Sequence, residues 1–195
     1  EIRHIVAPIT HTVRKTDPGV KEYFKDTQFV QVPIQLSEED RELYDMVLEL
    51  AESDDPDLWG QYYRVLKYIC NTPEALKHSD SKIAQAIVEM VPALSSKTSP
   101  KMETLIEQVE SIRDQGDKVI VFSQYTNLGV FRIAEELKRA KVRHVVHYGT
   151  GMTDKAAQMA QDEFKKDPSV IVFLSSDAGS HGLSFQEAKY VINYD

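Results

Sequence analysis

The sequence predicts an α/β protein: a parallel sheet flanked by helices and preceded by a mainly helical segment. Three observations carry that prediction. From Thr98 onward, short apolar runs alternate with helical stretches, the pattern of βαβ units. The runs "KVIVFS" and "SVIVFLSS" are β-branched and almost continuously apolar, as strands buried on both faces should be. Before Thr98, apolar residues recur mostly at helical spacing.

The elements follow in order. Residues before Thr27 read as extended or irregular. "TQFVQVPIQL" (Thr27–Leu36) alternates and predicts one strand, which Pro33 would confine to an edge. "SEEDRELYDMVLELAES" predicts a helix capped by Ser37, with Asp40 three residues on and a buried stripe of Leu43, Met46, Val47 and Leu50. "PDLWGQYYRVLKYICN", "TPEALKHS" and "SKIAQAIVEMV" predict three more helices, with Thr72-Pro73 a cap-then-proline start. Trp59, Tyr62 and Tyr63 sit at helical spacing with Leu66 and are expected in a core rather than stacked on bases. Cys70, beside Ile69, is expected as a buried small hydrophobe.

Ser99 and Pro100 open the next helix, whose stripe is Met102, Leu105, Ile106, Val109 and Ile112 and which Gly116 ends. Then come strand "KVIVFS", helix "NLGVFRIAEELKRAK", strand "VRHVVHY", helix "TDKAAQMAQDEFKKD" with Thr153 as its cap, strand "SVIVFLSS" and strand "YVINYD". Right-handed crossovers place helices on both faces of such a sheet. No internal repeat or low-complexity segment is present.

Composition bounds the function. The chain has 195 residues, 42% hydrophobic and 28% charged, enough for a substantial core. No apolar run approaches a bilayer span and no cleavable leader pattern opens the chain, so no membrane partner is expected. One cysteine excludes an internal disulfide and fits a reducing, intracellular setting: cytoplasm, nucleus or nucleoid. His144 and His147 alternate with valines, and no Cys/His cluster has ligand spacing, so no metal site is expected. The net charge of −8 opposes nucleic-acid binding in bulk. Basic residues nevertheless cluster at "VRK", "LKRAKVR" and "KK", leaving room for a local basic stripe.

The loop after Leu174 carries the chemistry. Ser175 and Ser176 offer hydroxyls, while Ala178, Gly179 and Gly182 leave backbone N–H groups accessible. In a parallel sheet, ligands bind at the carboxyl ends of strands, and such amides suit phosphate oxygens. The plainer reading is a tight turn with positive φ at the glycines. No G-x-x-x-x-G-K-[ST] occurs, so the sequence has no primary triphosphate cradle.

"VIVFLSSDAGSHGLSFQEAKYVINYD" resembles the fifth motif of superfamily-two helicases, most closely that of Swi/Snf-type DNA-dependent ATPases. Ser175, Ala178, Gly179, Gly182, Leu183, Ala188, Val191, Ile192 and Asp195 match. Phe122-Ser123-Gln124 is similar to the fourth motif. "HYGTGMTDKAAQMAQDEFKKDPSVIVFL" is similar to the segment between the two. Upstream, "TVRKTDPGV", "VQVPIQLSEEDRELYDMVL" and "LKYICNTPEAL" are similar to that family's arginine-lysine, leucine-serine and Cys-Asn-x-Pro stretches, in the right order. Asp177, Ser180 and Ser184 depart from the pattern, which suggests a divergent branch. Asp177 also lies in register with the RNA-helicase form of the loop.

The resemblance implies a RecA-like second motor lobe at 98–195, truncated before its last motif, preceded at 1–97 by an inter-lobe linker and helical insertion. It implies a monomeric, double-stranded DNA translocase that needs a missing N-terminal RecA-like lobe. ATP and Mg²⁺ would bind the intact two-lobe enzyme, and the chain alone would bind neither and hydrolyse no ATP. Backbone contacts to DNA would come from Ser123, Gln124, Gly149, Thr150, Ser175 and Ser176, with Arg14 and Lys15 touching DNA or packing at the hinge. Gly182 and Ser184 would face the ATP ribose. Asp177 is either a cap for its loop or a link between the DNA and ATP sites. His181 is expected at the surface or packed in the loop. Two other readings remain open: a lobe of an unwinding RNA or DNA helicase, and a non-catalytic binding or regulatory module.

Overall fold

The structure, a computed structural model, describes residues 27–92, 94, 98–149, 151–177 and 184–195. The chain divides into Glu1–Pro33 and Ile34–Asp195. Within the first unit, residues 27–33 carry neither helix nor strand. The strand expected over Thr27–Leu36 is therefore a correction: the described stretch pairs with no strand. An alternating pattern becomes a strand only where an edge accepts its amides and a core accepts its apolar side. Here Phe29 is 95% exposed and Val30 78%.

The second unit begins with helices. α1 (Glu38–Ser53) starts as the sequence predicts, with Ser37 Oγ accepting from the Asp40 amide at 3.1 Å. A single 3₁₀ turn (Pro56–Leu58) leads into α2 (Trp59–Asn71), and a second (Pro73–His78) precedes α3 (Lys82–Met90). "TPEALKHS" thus forms a tight 3₁₀ segment rather than an α-helix. Leu43, Val47, Tyr62, Val65, Leu66, Ile69, Leu76 and Ile87 close one hydrophobic cluster among these helices. Tyr62 and Leu66 are in it, as expected, but Trp59 and Tyr63 are 41% and 56% exposed. Trp59 and Tyr63 are one helical turn apart, so they share the face of α2 that the cluster does not cover.

α4 (Pro100–Asp114) is capped by Ser99 Oγ, which accepts from the Met102 amide at 3.2 Å. It stops where Gly116 adopts φ +76°. The Gly116 amide bonds the Arg113 carbonyl and the Asp117 amide the Ile112 carbonyl, the paired closure that a left-handed residue permits. β1 (Lys118–Ser123), α5 (Phe131–Arg139), β2 (His144–His147), α6 (Asp154–Lys166), β3 (Val172–Ser176) and β4 (Ala188–Asn193) follow. Thr153 Oγ1 caps α6, as predicted. All pairings are parallel, in the order β2-β3-β1-β4.

The pleat sorts the core. Val119, Val121, Val172 and Leu174 face α4 and α5 on one side. Ile120 and Phe173 face α6 on the other, where Phe164, Phe173 and Phe185 pack with centroids 4.3–5.4 Å apart. Every residue of β3 is buried. The Lys118 ammonium donates to the Asp167 carbonyl (2.8 Å) and to that of Phe164, satisfying the open end of α6 with a cation. The sheet therefore presents the carboxyl ends of β1, β2 and β3 along one rim.

Candidate nucleic-acid interface

Three loops leave that rim at adjacent positions: Gln124–Tyr125 after β1, Tyr148–Gly149 after β2 and Asp177 after β3. Gln124, Gly149 and Asp177 are exposed. Ser184, just before β4, is exposed as well. Thr150, Gly182, His181, Arg14 and Lys15 lie outside the described residues.

The serines expected beside them face inward. Ser175 is fully buried, and its hydroxyl donates to the Ser176 carbonyl at 2.9 Å. Its one proton being committed there, its oxygen accepts from His147 Nδ1 at 3.3 Å. Burial pulls the His147 imidazole below its ordinary value and keeps it neutral. Ser176 is 5% exposed. Ser123, 2% exposed, donates its hydroxyl proton to Asp195 Oδ2 at 2.5 Å. In this geometry the strand-end hydroxyls tie the rim together, and side chains and backbone just beyond them meet solvent.

Asp195, two residues beyond β4, is tied into the rim. Its Oδ2 accepts both the Ser123 hydroxyl and, at 2.8 Å, the backbone amide of Gln124. Its Oδ1 accepts from Asn71 Nδ2. Asn71, at the end of α2, accepts Lys101 Nζ on its Oδ1 at 2.7 Å, and its carbonyl accepts the Ser99 hydroxyl at 2.6 Å. Burial lowers the Lys101 ammonium from the usual lysine range, with Asp195 acting against the shift. The ring of buried Tyr194 lies 4.6 Å from that ammonium, and burial pushes its phenol up. Cys70 is half-buried on the same helix, and burial raises its thiol.

The loop after β1 is pinned from a second side. Thr126–Val130 forms a π turn closed by the Val130 amide on the Tyr125 carbonyl at 2.8 Å. Gly129 within it is the close approach: a Cβ there would fall 1.9 Å from Ser123 Oγ. Tyr125 packs edge-on against Tyr68 of α2, centroids 5.2 Å apart. Lys67 Nζ donates to Gln124 Oε1 at 3.1 Å and lies 5.5 Å from the Tyr63 ring. Lys67 and Asn71 were assigned no role from the sequence, although both lie in the "LKYICNTPEAL" stretch, where Asn71 is the asparagine of Cys-Asn-x-Pro.

The chain forms a parallel sheet of this order with helices on both faces and exposed loops at the carboxyl rim, a RecA-like α/β fold. Its fold is that of the Swi/Snf ATPase C-terminal lobe. The core domain of the Sulfolobus solfataricus SWI2/SNF2 ATPase superposes with a TM-score of 0.70 at 23% identity, covering 100% of this chain and 39% of that one. The same core in complex with dsDNA superposes at 0.67, with 23% identity and 100% and 40% coverage. Residues 100–195 match the helicase conserved C-terminal domain. The Bacillus subtilis ATP-dependent helicase YqhH is 24% identical over 205 residues, covering 100% of this chain. The chain spans 36% of the length of YqhH. Among the described residues no helix is long and apolar enough to cross a membrane, and no His/Cys/Asp/Glu group could hold a metal ion.

Proposed function

We propose that this chain is the second motor lobe of an ATP-dependent translocase on double-stranded DNA, with residues 1–97 forming its linker and helical insertion. One observation carries the reading: Gln124, Gly149 and Asp177 emerge side by side on the carboxyl rim, with the Lys67 ammonium 3.1 Å from the Gln124 amide oxygen. A neutral amide beside one cation, with an exposed glycine backbone alongside, suits a phosphodiester and reads no sequence. Weak, sequence-blind contacts also suit a protein that must release its track at each step, and they fit a chain of net charge −8.

Gln124, Gly149 and Thr150 grip the DNA backbone in this reading. Ser123, Ser175 and Ser176 hold the rim in shape behind them. Asp177, Gly182 and Ser184 face ATP across the lobe interface. The sequence contains no G-x-x-x-x-G-K-[ST], so cradling the triphosphate and Mg²⁺ falls to the N-terminal lobe. The 195-residue chain by itself hydrolyses no ATP. ATP closes the two lobes on the track, and hydrolysis reopens them.

The test is ATP hydrolysis by the full-length protein with duplex DNA, single-stranded DNA and RNA. Duplex DNA is expected to stimulate most, and the isolated chain to match a buffer blank. Equal or greater stimulation by RNA would favour an unwinding helicase. No ATP turnover with any nucleic acid would favour a binding module.

A further inference from the structure

The contacts around Asp195 form a single chain of donors and acceptors linking three distant parts of the sequence. We infer that the Asn71–Asp195 pair is a positioning device: it sets the backbone of Gln124, and so aims the Gln124 side chain at the DNA phosphate. This inference rests on the duplex-DNA reading of the rim.

The chemistry is directional. Lys101 Nζ has only protons to offer, so the side-chain atom of Asn71 that meets it at 2.7 Å is the oxygen. The amide nitrogen of Asn71 then points the other way, at Asp195 Oδ1. The carboxylate is left with Oδ2 for Ser123 Oγ and the Gln124 amide. Asn71 is 3% exposed and Ser123 2%, so water does not replace a lost partner cheaply. The orientation of Asn71 therefore follows from a lysine on α4.

Two features separate this device from ordinary core packing. It acts on a backbone amide at the rim, next to the residue proposed to touch DNA. It also joins α2, which supplies Lys67 to the same Gln124, to the residue two positions beyond β4. The helical segment and the sheet therefore place the two halves of one phosphate contact, the Gln124 amide and the Lys67 ammonium.

The directionality supplies a test by exchange of partners. Asp195→Asn alone turns an amide against an amide or leaves Oδ2 replaced by a donor. Asn71→Asp alone sets two carboxylates together. The double variant Asn71→Asp/Asp195→Asn restores every contact. The carboxylate at position 71 accepts from Lys101 on one oxygen and from the amide at position 195 on the other. The oxygen of that amide accepts from Ser123 and Gln124. In the full-length protein we would measure amide hydrogen exchange at Gln124 and affinity for a fluorescent DNA duplex.

Each single variant is expected to speed exchange at Gln124 about tenfold and weaken duplex binding about tenfold, the equivalent of about 1.4 kcal/mol. The double variant should return both toward wild type. Unchanged exchange and affinity in both single variants would overturn the inference. So would a double variant that regains melting temperature but not affinity, since that is the signature of a purely structural pair. If the wild-type protein binds no duplex DNA, the proposed function fails, and Gln124 exchange still decides whether the pair sets that backbone.

Discussion

Replacing Gly129 by alanine should destabilise this protein, although the substitution normally stabilises a helical turn. Gly129 lies in the π turn after β1, where the usual gain from Gly to Ala is up to about 1 kcal/mol. Here the new Cβ would lie 1.9 Å from Ser123 Oγ and 3.0 Å from Ser123 Cβ. Rotating the hydroxyl away breaks its bond to Asp195, a charge-assisted bond worth roughly 1.5–3 kcal/mol. The remaining Cβ–Cβ crowding is overpacking, which costs about 1–3 kcal/mol. The sum, less the helical gain, is a loss of roughly 2–5 kcal/mol. For a unit of this size that lowers the melting temperature by roughly 5–20 °C. Thermal unfolding by circular dichroism reads it directly. Ser123→Ala/Gly129→Ala should be less unstable than the sum of the two single variants, because one atom of the clash is gone. A Gly129→Ala protein that melts at or above wild type would refute the packing described around Ser123.

Two further outcomes follow from buried polar groups. The folded His147 imidazole sits below its unfolded value of about 6.5, so its contribution is present above that pH and lost as pH falls toward the folded value. Urea midpoints should therefore drop between about pH 7.5 and 5.5, and His147→Gln should flatten that drop; an unchanged slope would contradict a buried neutral imidazole. Ser99→Ala removes both the cap on Met102 and the donor to the Asn71 carbonyl, and should cost about 1–3 kcal/mol in chemical denaturation.

What could be read from the sequence was local. Ser37, Ser99 and Thr153 announce helices because a cap lies within three residues of the amide it satisfies, and Gly116 announces a stop because only a left-handed residue closes that turn. β1 and β3 were legible because they are buried almost throughout, whereas β4 alternates half-buried and exposed residues and was read from its apolar run. The alternation of Thr27–Leu36 misled because local pattern does not supply a partner strand. Trp59 and Tyr63 misled because helical spacing shows which residues share a face, not whether anything covers it. At the rim, Gln124 and Gly149 are exposed, whereas Ser123, Ser175 and Ser176 turn inward. The bond between Asn71 and Asp195 spans 124 positions of sequence, a separation at which no local rule operates.

If DNA runs over the carboxyl rim of this sheet, as proposed, a photo-crosslinker placed on each rim will report it. In a Cys70→Ala background, a benzophenone would be attached to Gln124→Cys at the carboxyl rim or to Ser169→Cys, exposed ahead of β3 at the amino rim. With full-length protein and a DNA duplex, efficient crosslinking is expected from position 124 and little from 169. Equal yields, or a stronger signal from 169, would contradict it.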